Sequence, residues 1–164
     1  MSVNANKRLF TNKDRITGLS LFAFFLSFYG IIFFIQRILG QVDPNCISDE
    51  CGYIEFAENI IKGFYSPPAP DISLHWGPGF PLLLVPLKLF NIQRHGIIIL
   101  NILLSSCTIG ILFFSSRLFL SYRISIIISS IWGFYYIHYH SIFSAHSEVL
   151  ASLLFLLSFF IYSL

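Results

Sequence analysis

The chain reads as an all-α integral membrane protein: about four transmembrane helices and a long extracytoplasmic first loop that carries interfacial helices. Three observations lead there. Of 164 residues, 55% are hydrophobic and 11% charged, whereas soluble domains carry about 25% charged residues. Uncharged runs fill 16–35, 96–116, 124–143 and 149–164. Finally, Lys7, Arg8, Lys13 and Arg15 all precede the first run, which places the N-terminus on the cytoplasmic side. The net charge of +2 is too small to suggest nucleic acid, and no basic stripe interleaved with aromatics occurs.

Residues 1–15 form the cytoplasmic tail. The first span covers about 16–38, and its uncharged core of 20 residues matches a hydrocarbon layer of ~30 Å at ~1.5 Å per residue. A cleaved signal peptide has a hydrophobic region of only ~7–15 residues and a small-residue cleavage site. Gln36-Arg37-Ile38-Leu39 offers no such site, so the segment reads as a retained anchor.

The loop, about 39–95, is then outside and holds Asp43, Asp49, Glu50, Glu55, Glu58 and Asp71. Tyr53, Phe56, Ala57, Ile60 and Ile61 follow the i, i+3, i+4, i+7, i+8 spacing of one helix face. Ser48 or Asp49 suits the N-cap, Glu50 complements the helix dipole, and Gly63 can end the helix. This helix is expected along the membrane surface, apolar face down. Asp49 has two readings: a cap, or a carboxylate used as general base or metal ligand.

Pro67, Pro68 and Pro70 then force an extended crossing. The run Phe80–Phe90 carries Pro81, Pro86 and Lys88 and is too short to span, so it reads as interfacial. Lys88, Arg94 and His95 follow as interfacial snorkelling residues or as contacts to a lipid phosphate.

Spans at about 96–116, 124–143 and 148–164 complete the chain. The turn with Arg117 and Arg123 then lies inside, and Glu148 emerges on the same face as Asp49. The last run holds only 16 residues, short of the ~20 a span needs. The chain is therefore expected to be the front portion of a longer protein.

Cys107 lies in a hydrophobic run and should be inert. Cys46 and Cys51 flank Asp49. An extracytoplasmic loop allows a disulfide there, but two free thiols are the expectation. His138, His140 and His146 cluster with Tyr135, Tyr136 and Tyr139 near the outer end of the third span. They read as an aromatic–histidine belt or as the lining of a polar cavity. His146 and Glu148 share a turn and can face one site. Ser105, Ser106, Thr108 and Gly110 read as helix-packing residues.

The order Asp49-Glu50-Cys51-Gly52-Tyr53, Ala57, Gly63 and Pro78-Gly79-Phe80-Pro81-Leu82 resembles the N-terminal part of the GT-C glycosyltransferases. Within that group it is most similar to bacterial relatives of protein mannosyltransferases and of the aminoarabinose transferase of lipid A. The resemblance runs from about residue 16 onward. It implies a membrane enzyme, or a fragment of one, that transfers a sugar from a polyprenyl-phosphate donor to an acceptor outside a bacterial plasma membrane. It implies that Asp49 is catalytic or holds a divalent metal ion, and that Glu148 assists in either role. Glu50, Tyr53, His75, Lys88 and Arg94 are then candidate substrate contacts, with Lys88 or Arg94 on the donor phosphate. Membrane lipid is the other implied partner; the acceptor is unspecified.

A non-catalytic membrane scaffold or degenerate remnant is the alternative. A transporter fragment has less support, because apart from the histidines the spans carry no charge to mark a substrate path. No G-x-G-x-x-G or G-x-x-x-x-G-K motif supports a nucleotide-sugar donor.

Overall fold

The computed structural model describes residues 10–42, 49–65, 77–90, 94–144 and 146–164. Within them all regular structure is helical: α1 (Asn12–Ile38), α2 (Asp49–Ile61), α3 (Gly79–Leu89), α4 (Arg94–Arg117), α5 (Tyr122–Phe134), α6 (Tyr136–Ile142) and α7 (Glu148–Tyr162). Two of these, α1 and α4, are long and apolar enough to cross a membrane.

Helix α1 starts on a capping box. The Thr11 hydroxyl accepts from the Asp14 backbone N–H at 3.1 Å, and the Asp14 carboxylate accepts from the Thr11 N–H at 2.9 Å. Two of the donors a helix start leaves unpaired are thereby satisfied. Helices α1 and α2 end in the same way. Gly40 and Gly63 adopt φ of +66° and +91°, and the residue after each bonds back five positions, Gln41 to Gln36 at 2.9 Å and Phe64 to Asn59 at 3.1 Å. Glycine carries little steric penalty in that left-handed conformation.

Helix α4 is the central post, packed against α1, α5 and α7. Its buried face carries Asn101, Ser105, Ser106, Thr108, Gly110 and Ser115. Small residues let helix backbones approach closely. A Cβ on Gly110 would lie 3.7 Å from the Gly18 carbonyl oxygen, and one on Gly18 only 2.4 Å from the Phe114 ring. The hydroxyls of Ser106 and Thr108 are satisfied within the helix, on the carbonyls of Ile102 and Leu104.

One continuous helix was the expectation for 124–143. Instead the chain breaks at Tyr135, whose backbone is extended (φ −67°, ψ 124°). No proline causes the break. Tertiary packing accounts for it. The Tyr29 hydroxyl of α1 donates to the Gly133 carbonyl at 2.6 Å, an acceptor left over when the helical ladder stops. A Cβ on Gly133 would lie 2.3 Å from the Phe25 ring, so only glycine lets α1 and α5 meet there.

Contacts place the helix ends in two groups. At one end Asp14, Arg117 and Tyr122 meet, and Phe10 stacks near Phe160. At the other, α2 and the first turn of α4 meet the turn before α7. α1, α4, α5–α6 and α7 therefore alternate in direction.

The helix expected over the acidic loop is present, but its apolar face is not turned to a membrane. Tyr53 and Ala57 pack with Phe80 and Leu84 of α3 and Ile97 of α4 in a core of their own. Each fully buried large side chain contributes about 1.5–3 kcal/mol.

The two-thiol expectation is corrected for Cys51, which is disulfide-bonded. Cys107 is a free thiol. Ser48, Cys46, Asp43, Asp71, His75 and the Pro67–Pro70 run lie outside the described residues.

Candidate functional site

A cavity of about 450 Å³ opens at the end where α2 meets the bundle, lined by Asp49, Glu50, Arg94, His140 and His146, with Gln36 on its wall. Five segments supply these groups. The start of α2 is held against the bundle by the Glu50–Arg94 pair and the Tyr53–Ser147 hydrogen bond.

Asp49 and Glu50 both begin α2, yet they have different surroundings. Asp49 is exposed, whereas Glu50 is 1% exposed. The Arg94 guanidinium donates to the Glu50 carboxylate at 3.0 Å, with both side chains nearly removed from water. A buried carboxylate needs such a partner. Arginine at a helix start opposes the dipole, and Glu50 offsets that locally. The dipole-complement reading of Glu50 is thus incomplete: it is the anchor that docks α2 onto α4.

Tyr53 lies one turn further along. Its hydroxyl shares a hydrogen bond with Ser147 at 2.8 Å. The Asn101 amide donates to the Ser144 carbonyl at 2.6 Å. Together these two bonds fix both sides of the turn that carries His146. Ser144 also contacts His146 Nδ1 at 3.3 Å.

Of the residues singled out in the sequence, Asp49, Glu50 and Arg94 come together here. Tyr53 supports them from behind. Lys88 stands apart, paired with Glu58 at 2.7 Å. Glu148 does not line this cavity. It lines a separate one of about 130 Å³ with His138 and Trp132. His146 was placed in the same turn as Glu148, and it is His146 that joins Asp49. His140 reads from the sequence, with His138 and His146, as belt or polar-cavity lining. Gln36 was not singled out; its only signal was position at the outer end of the first span.

His138 is buried, and its Nε2 lies 2.6 Å from the Ser105 hydroxyl. Ser105 therefore has a polar partner beyond its packing role. Among the described residues no group of three or more His, Cys, Asp or Glu side chains is arranged to hold a metal ion. His140 and His146 are the imidazoles that share the cavity with Asp49.

The arrangement combines an accessible carboxylate, two imidazoles and a fixed guanidinium in one open space. It can accept a proton, and it can face an anion. No family model, curated protein or solved structure shows a significant match to the chain.

Proposed function

We propose that the chain is a multi-pass membrane glycosyltransferase of the GT-C type, or the N-terminal part of one, acting on a polyprenyl-phosphate sugar at the outer face of a bacterial plasma membrane. One observation carries the reading: the exposed Asp49 carboxylate shares an open cavity with the buried Glu50–Arg94 pair, His140 and His146. The order of motifs around Asp49 supports it.

In this reading Asp49 takes the proton of the acceptor hydroxyl as its oxygen bonds to the anomeric carbon of the sugar. The bond from that carbon to the phosphate oxygen breaks, and the lipid phosphate leaves with the electron pair. Arg94 and the imidazoles face the growing phosphate charge. Glu50 keeps Arg94 in place. The step uses Asp49 for a proton, so transfer should survive EDTA; loss of transfer in EDTA would move Asp49 to the metal-ligand role.

The deciding experiment follows radiolabel from a polyprenyl-phosphate sugar into acceptors in membranes that contain the chain. Asp49→Asn should abolish transfer with expression unchanged, since Asp49 is exposed. Full transfer in that variant overturns the base assignment. No transfer by the unaltered chain removes the complete-enzyme reading and leaves an N-terminal part or a scaffold.

A further inference from the structure

The break at Tyr135 creates a feature that the proposed reaction does not use. Tyr135 stands where two cavities meet. On one side is an apolar groove of about 490 Å³ along α5, bounded by Leu112, Ile128, Ile131, Trp132 and Tyr135. On the other is a small, mostly apolar cavity of about 130 Å³, lined by Ile137 and Val149 together with Trp132, Tyr135, His138, Glu148 and Ser152. Trp132 and Tyr135 wall both, with rings 6.4 Å apart. Had the helix run on unbroken, regular turns would have continued α5 through this junction.

The chemistry of the small cavity selects a head group. The Trp132 Nε1–H is buried and has no hydrogen-bond partner among the described residues. It can only donate, so it calls for an acceptor. Glu148 can only accept when ionised, so it calls for a donor. His138 Nε2 is already taken by Ser105. No lysine or arginine lines either cavity, so a phosphate or carboxylate head would meet Glu148 without a counter-charge. An ammonium head would leave Trp132 unanswered. A hydroxyl answers both, donating to Glu148 while accepting from Trp132. The volume suits a head this small, being room for about four waters at ~30 Å³ each.

We infer that the groove and cavity form one binding site for a single-chain amphiphile with a hydroxyl head, the chain along α5 and the head between Trp132 and Glu148. The site is separate from the Asp49 cavity and stands whether or not the proposed transfer reaction is correct.

The chain has two tryptophans, so Trp76→Phe leaves Trp132 as the only indole. The full chain with that change, in phosphatidylcholine nanodiscs, is titrated with 2-bromoundecan-1-ol, whose bromine, beside the hydroxyl head, quenches indole emission on contact. Saturable quenching is expected, about tenfold or more tighter than with 2-bromoundecanoic acid or 2-bromoundecane, because a hydrogen bond to a charged acceptor is worth that much. Ser152→Leu, which fills the cavity, should abolish saturation. Glu148→Gln, at an exposed position, should weaken binding about tenfold and serves if the first variant fails to fold. Equal, unsaturable quenching by the alcohol and the bromoalkane overturns the site and leaves a surface that bilayer tails or another helix covers. Saturable quenching unchanged in both variants also overturns it.

Discussion

The two ends of the helix bundle use charge in opposite ways. At the end holding the start of α1, Asp14 accepts from Arg117 at 2.7 Å and from Thr11, Arg117 also donates to the Leu120 carbonyl, and Lys13 lies 4.2 Å over the Tyr122 ring. Each of these groups ties one helix to the next. At the far end, Glu50 and Arg94 make a comparable pair, but it sits in the wall of a cavity. Asp49, one residue before Glu50, faces that open space. Neighbouring carboxylates thus divide the work, Glu50 holding α2 in place and Asp49 remaining accessible. The contrast distinguishes an end built to be closed from one built to admit something.

Four substitutions test the contrast. Arg94→Ala should have the largest effect, since it strands the Glu50 carboxylate in a buried site; about 3–5 kcal/mol of stability should be lost. Adding Glu50→Leu should recover most of that loss, because removing both partners leaves no uncompensated charge. Failure to recover, measured by SDS-induced unfolding of the reconstituted chain, would show that the pair does more than satisfy itself. At the closed end, Asp14→Asn keeps the shape but weakens the bonds to Arg117 and Thr11. It should cost about 1.5–3 kcal/mol and leave the Asp49 cavity intact. A loss of sugar transfer in Asp14→Asn at temperatures where it stays folded would break the separation of the two ends. Lys88→Ala should do least, about 0–1 kcal/mol, because its pair with Glu58 is 28% and 44% exposed. A larger loss would show that the α2–α3 pair depends on that contact.

Local chemistry made much of the fold legible. The acidic helix spans Asp49–Ile61 and closes at Gly63 because its apolar face and its glycine lie within one short stretch. The short apolar run emerged as α3, Gly79–Leu89, with Pro81 in its first turns as its fixed φ allows. The break at Tyr135 was hidden, since its cause lies about a hundred residues away in Phe25 and Tyr29. The site was half legible for the same reason. Asp49 and Glu50 were visible, but nothing in the order of residues shows that Glu50 meets Arg94 across 44 positions. Nor does it show that His146 rather than Glu148 turns toward Asp49. Which of two residues in a turn faces a cavity is decided by the bonds of Tyr53 and Asn101 to Ser147 and Ser144.

The broken helix also bears on how the chain would sit in a bilayer. At ~1.5 Å per residue, α5 rises only ~20 Å, below a hydrocarbon core of ~30 Å, while α1 and α4 reach ~40 Å and ~36 Å. In a bilayer α5 alone would not bridge the core, and its last carbonyls would rely on α1, where the Tyr29 hydroxyl meets the Gly133 carbonyl. Helix length thereby ties the completion of α5 to the packing of α1 and α4.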